Sequence, residues 1–127
     1  MLKPYLFIDK TAKKGRGVFT KQRIAPGTVI EISPVIVMSK EDKAHIEKTV
    51  LFNYIFDWGK KGKCCMAIGL VPMYNHSYES NCEYIMDYTD DTITIQTVRA
   101  IKKGEELTIN YNGDWKDATQ IWFDAKQ

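Results

Sequence analysis

Hydrophobic positions along this chain fall in short runs of β-branched and aromatic residues separated by polar turns, the pattern of a protein built mainly from β-strands. Strands are predicted over residues 5–9, 18–20, 29–32, 35–38, 83–88, 92–98 and 107–111. The clearest is Thr92-Ile93-Thr94-Ile95-Gln96-Thr97-Val98, where polar and apolar side chains alternate with the two-residue period of a half-buried strand. Asp90-Asp91 precedes it and follows Ile85-Met86-Asp87-Tyr88, so the two segments read as a hairpin. Ile24-Ala25-Pro26-Gly27 and Ile101-Lys102-Lys103-Gly104 each set a turn before a further apolar run, with Gly27 and Gly104 able to take positive φ. They look like two similar strand-turn-strand units.

One short helix interrupts this pattern. Ser39 can cap it, and Asp42 three positions later completes a weaker form of the capping box. Ala44, Ile46, Val50, Leu51 and Tyr54 then fall on an apolar stripe, with Glu41, Lys43, Glu47 and Lys48 around it, until a polar turn over residues 59–63. No linker or low-complexity tract divides the chain, so residues 1–127 are expected to form a single domain with a short aromatic tail at about 112–127.

Composition narrows the function classes. With 18 basic and 16 acidic side chains the net charge is only +2, so no strong field points to nucleic acid or an anionic membrane as a direct partner. No apolar run reaches the length of a bilayer span, and the first residues carry no signal-peptide core, which leads to the expectation of a cytoplasmic protein. Of the three cysteines, Cys64 and Cys65 are adjacent and would strain a mutual bridge, so reduced thiols are expected. Only Cys82, His45 and His76 remain to complete a zinc set, and the spacing is wrong for one; no metal is expected.

Three motifs carry chemistry: Gly15-Arg16-Gly17 between two predicted strands, Asn75-His76-Ser77 leading to Asn81-Cys82, and Gly104-Glu105-Glu106-Leu107-Thr108-Ile109-Asn110-Tyr111. The first alone is no more than a tight turn, and it is not a dinucleotide fingerprint, since no third glycine and no helix follow in register. In this order and at these separations the three together resemble the SET domain of protein lysine methyltransferases, over about residues 14–111. The chain looks like the minimal, stand-alone form of that domain found in bacteria and large viruses. The resemblance implies a β-clip-like fold of small twisted sheets, with a pseudoknot that brings the Asn75 loop to the strand ending at Tyr111. It also implies transfer of a methyl group from S-adenosylmethionine to the side-chain amine of a lysine in a protein or peptide, with histone-like and ribosomal proteins among the compatible substrates.

By the same resemblance Tyr111 is the catalytic residue, its hydroxyl set beside the transferred methyl and the target nitrogen. Gly15, Arg16, Gly17, Asn75 and His76 are expected on the cofactor side: the glycine turn beside the methionine part, Arg16 either near its carboxylate or on the surface, Asn75 offering its amide, and His76 acting through its backbone rather than as an acid or base. Tyr84 and Tyr54 match positions that line the lysine channel, although Tyr54 reads equally well as packing. Asn81 is expected to tie the knot loop by side-chain to backbone bonds. Trp122 and Phe123 in the tail either cover the adenine or anchor the terminus on the core or in a homodimer. A competing reading keeps the SET-like shape but makes it a module that binds lysine or a small ligand without turnover, because an aromatic pocket also suits a reader. A purely structural dimerisation domain would leave all three motifs unused.

Overall fold

The computed structural model describes residues 1–111. Its strands form two sheets. In the smaller, β1 (Leu6–Lys10), β2 (Arg16–Thr20), β9 (Glu106–Ile109) and β6 (Asn75–His76) lie in that order. In the larger the order is β4 (Phe56–Asp57), β5 (Cys64–Ala67), β3 (Val29–Met38), β8 (Thr92–Thr97) and β7 (Cys82–Asp87). The alternation over β8 is expressed as expected: Ile93, Ile95 and Thr97 are buried and the residues between them are not. With Val18, Ile30, Val71, Tyr74, Leu107 and Ile109 they form the core.

The 85–95 hairpin is present as the antiparallel β7–β8 pair, with Asp91 at φ 53 in its turn. The two Gly-containing turns pair with each other: Ile24 and Ile101 exchange backbone hydrogen bonds of 3.0 and 2.9 Å, and Gly27 and Gly104 take φ of 73 and 83. The separate strands expected at 29–32 and 35–38 are one ten-residue strand. It pairs with β8 up to Pro34 and with β5 from Val35 onward. Pro34, which has no N–H to give, therefore falls where the strand passes from one neighbour to the other.

The helix is shorter than its stripe suggests. α1 spans Lys40–Ile46, and its capping box forms, with Ser39 Oγ accepting from Asp42 N at 3.0 Å and Asp42 Oδ2 accepting from Ser39 N at 3.2 Å. Thr49 then stops it: its hydroxyl donates to the Ile46 carbonyl at 2.8 Å and accepts from Leu51 N at 3.2 Å, opening a separate 3-10 turn over Val50–Tyr54. The stripe is broken at that point and does not become a buried face; Val50 is 70% exposed and no residue of α1 is buried. Strands β4, β5 and β6 were not foreseen. Cys64, Cys65 and Cys82 are free thiols in buried positions. No helix of the described residues is long and apolar enough to cross a membrane.

Candidate active site

The turn between β1 and β2 is held by Thr11, whose hydroxyl donates to the Gly15 carbonyl at 2.9 Å and accepts from Lys14 N at 2.7 Å. This closure puts Gly15 at φ 74, a backbone state that suits glycine, and a Cβ there would meet no atom within 4 Å. The open space belongs to a cleft of about 700 Å³ lined by Lys10, Lys14, Gly15, Arg16 and Asn75. A second cleft of about 790 Å³ is lined by Phe56, Asp57, Glu83, Tyr84, Met86 and Tyr88. The two share one wall, made of Asn53, Tyr54, Pro72 and Tyr111.

Tyr111 stands at this junction just beyond β9. Its backbone N–H donates to His76 Nδ1 at 3.0 Å, and its hydroxyl donates to the Tyr74 carbonyl at 2.8 Å. Tyr84 donates its own hydroxyl to the Tyr111 carbonyl at 3.1 Å, and the Phe56 ring packs 5.2 Å from Tyr84 and 6.2 Å from Tyr111. Burial pushes the Tyr84 phenol up to about 12 and the Tyr111 phenol higher still, because the interior disfavours the phenolate. Both are therefore neutral hydroxyls at physiological pH. With its proton directed at Tyr74, the Tyr111 oxygen is left as an acceptor.

The residues of the three motifs divide between the clefts and the packing behind them. Gly17 does not line either cleft; a Cβ on it would collide with the Glu106 carboxylate and lie 2.9 Å from Asn75 Nδ2, so the protein's own packing requires this glycine. Asn75 spends its NH2 group inside the fold, donating to the Arg16 carbonyl at 3.0 Å and to Glu106 Oε2 at 2.8 Å, which leaves the carbonyl oxygen of its amide for a ligand. His76 is buried behind the wall, and its carbonyl accepts from Lys14 Nζ at 3.1 Å. Because Nδ1 accepts from Tyr111, the ring proton is assigned to Nε2, a buried atom without a hydrogen-bond partner among the described residues. Burial, helped by the Lys14 cation, lowers the His76 pKa to about 4, which fits the expected structural role and not that of an acid or base. Asn81 is the tie foreseen for it: its Oδ1 accepts from Thr108 N at 2.8 Å and its Nδ2 donates to the Glu106 carbonyl at 2.8 Å. Trp122 and Phe123 lie outside the described residues.

Gly15, Arg16, Asn75, Tyr54, Tyr84 and Tyr111 are thus brought to two adjoining clefts from distant parts of the chain. Sequence reasoning missed Lys10, Asn53, Phe56 and Pro72. Asn53 and Phe56 had a signal in flanking Tyr54; Pro72 had none.

The profile of the SET domain matches residues 15–112. The chain belongs to the SET domain family. Over 120 residues it is 42% identical to the histone-lysine N-methyltransferase, H3 lysine-37 specific, of Schizosaccharomyces pombe, a match covering 94% of this chain and 77% of that protein. It is 32% identical over 117 residues to the histone-lysine N-methyltransferase ash1 of Drosophila melanogaster, covering 80% of this chain and 5% of that much longer one. In fold it is similar to a candidate histone methyltransferase of Plasmodium falciparum, with TM-score 0.66 and 24% identity over 92% of this chain and 100% of the other. It also resembles part of a humanized mutant of the Chaetomium thermophilum Polycomb Repressive Complex 2, with TM-score 0.73 and 20% identity over 87% of this chain and 15% of the other. This SET domain is a methyltransferase: it moves a methyl group from S-adenosylmethionine to the side-chain amine of a protein lysine. A module that binds without turnover is set aside.

The residues present fit that cofactor. The 700 Å³ cleft offers Lys10, Lys14 and Arg16 for a carboxylate, the Asn75 amide oxygen for an amino group, and open space over Gly15 for a chain that must lie close to the backbone.

Proposed function

We propose that the enzyme methylates a lysine in a basic, histone-like tail, with cofactor in the 700 Å³ cleft, substrate in the 790 Å³ cleft, and Tyr111 at the point of transfer. The shared wall carries this reading, because a methyl group can pass directly between two ligands only where their clefts meet. Tyr54, Tyr84 and Phe56 would line the approach of the lysine side chain. A wall of neutral, partly buried rings disfavours an ammonium whose ordinary pKa is about 10.4, and so raises the fraction of amine that can react. The Tyr111 oxygen then accepts from an amine N–H and turns the nitrogen lone pair toward the cofactor cleft. S-adenosylmethionine, when bound, would supply the electrophilic methyl carbon, with its sulfur as the leaving group.

Two features support a basic, extended substrate. The substrate cleft runs between β4 and β7, the two edge strands of the five-stranded sheet, whose outer backbone groups can pair with an added strand. Glu83 lines the same cleft and favours cationic neighbours of the target lysine, while Asp57 beside it is paired with Lys43 at 3.0 Å. The two curated relatives are named as histone-lysine methyltransferases, which agrees with this chemistry. In this reading residues 1–127 act as one domain. A histone substrate would also move the place of work from the cytoplasm expected from the sequence to chromatin.

The test is incubation with methyl-labelled S-adenosylmethionine and purified core histones beside a whole-cell extract, followed by mapping of labelled residues. Label on a histone-tail lysine is expected. Label confined to extract proteins outside the histones would overturn the substrate assignment, and it would leave the two-cleft site standing.

A further inference from the structure

The core contains a fully buried carboxylate that the reaction just described does not use. Glu31 is 0% exposed, and three donors satisfy it. Ser33 Oγ donates to Oε2 at 2.7 Å, Leu70 N to Oε2 at 2.8 Å, and the Tyr74 hydroxyl to Oε1 at 2.9 Å. A buried carboxylate is costly unless its oxygens are paired in this way, and an apolar side chain would fill the same space at less cost.

The fold makes room for it deliberately. The register of β3 against β8 shifts between Val29 and Glu31, a β-bulge that leaves Ile30 and Glu31, consecutive residues, both buried. Without the bulge Glu31 would point to the face opposite Ile30; bulges beside active sites often re-aim a side chain in this manner. Gly69 completes the cradle at φ 71, where a Cβ would collide with Glu31 Oε2.

The network leads to the site through one residue. Tyr74, 1% exposed, is held at its ring end by Glu31, and its backbone carbonyl is the acceptor of the Tyr111 hydroxyl. We propose that Glu31 is a positioning residue for methyl transfer: through the Tyr74 hydroxyl it fixes the carbonyl that orients the hydroxyl of Tyr111. This rests on the proposed role of Tyr111.

The experiment is a double-mutant cycle on the full chain, with Tyr74→Phe, Tyr111→Phe and the two combined, read as single-turnover rate on core histones and as S-adenosylmethionine affinity by calorimetry. Tyr74→Phe removes one hydroxyl and leaves Glu31 two donors. It is expected to slow transfer about three- to tenfold, the worth of one net hydrogen bond, with cofactor affinity within about twofold of wild type. In the Tyr111→Phe background, which has no hydroxyl to orient, the same change should slow transfer no further. A merely structural role would lower the rate by the same factor in both backgrounds, and that result, or an unchanged rate in Tyr74→Phe, sinks the proposal. If Tyr111→Phe itself turns over at the wild-type rate, the catalytic assignment fails instead. Should Tyr74→Phe not fold, Glu31→Gln with Tyr74→Phe keeps an amide oxygen for Ser33 and Leu70; the same pattern of rates is required of it.

Discussion

The two glycines of the first motif do different work although one residue separates them. Gly15 needs its left-handed backbone and leaves open space, so Gly15→Ala should cost about 1 kcal/mol of stability and weaken S-adenosylmethionine binding as well. Gly17→Ala must push aside the Asn75–Glu106 pair, and an overpacked site of that kind costs about 1–3 kcal/mol with a smaller change in cofactor affinity. Urea midpoints beside cofactor titrations separate the two; equal losses of affinity would mean that both line the ligand. Tyr111→Phe makes the sharper test of chemistry. It keeps the ring that packs on Phe56 and His76 and removes only the hydroxyl, so fold and cofactor binding should persist. An oriented hydrogen bond worth about 2 to 4 kcal/mol in the transition state corresponds to a rate lower by roughly thirty- to a thousandfold. Wild-type single-turnover rates would remove Tyr111 from the mechanism.

What could be read of the elements depended on how local their causes are. β8 was legible because its alternation is its burial pattern, and the start of α1 because the capping box is complete within four residues of sequence. The end of α1 was not, since Thr49 stops the helix through its hydroxyl, while the apolar stripe continues across the break. Strand β6 has only two residues and exists because β9 lies beside it in parallel register, Asn75 opposite Thr108 and His76 opposite Ile109. No periodicity can show such a strand; of its two residues Asn75 lines a cleft and His76 lies behind it. Pro72 joins the wall for the same non-local reason. With no buried residue, α1 leans on its caps more than on packing. Ser39→Ala should therefore cost about 1 kcal/mol locally, seen as roughly fivefold faster amide exchange over residues 40–46 with the protection of β3 and β8 unchanged. Uniform loss of protection would show that the helix opens only with the whole fold.

At the scale of the molecule, the site exists only because distant segments lock together, and His76 is one of the locks. Its ring accepts the Tyr111 N–H at 3.0 Å and so joins β6 to the chain just beyond β9, while it remains 5% exposed. The folded protein keeps this ring neutral down to about pH 4, whereas in the unfolded chain it titrates near 6.5. Between those values the unfolded state binds more protons, so the contribution of His76 is fully present above about pH 6.5 and is lost as pH falls toward 4. The whole window is worth up to about 3 kcal/mol, a large part of the stability of an ordinary small domain. Carboxylates add their own acid dependence, so the comparison needed is with His76→Asn, which can keep an acceptor for the Tyr111 N–H but has no proton to gain in this range. Urea midpoints measured from pH 7 to pH 4 should fall more steeply in wild type than in the variant, the two curves converging as acid is added. Parallel curves would mean that His76 is protonated in the folded state as easily as in the unfolded one. In that case the ring is not sealed behind the active-site wall, and its bond to Tyr111 cannot be one of the contacts that hold the two clefts together.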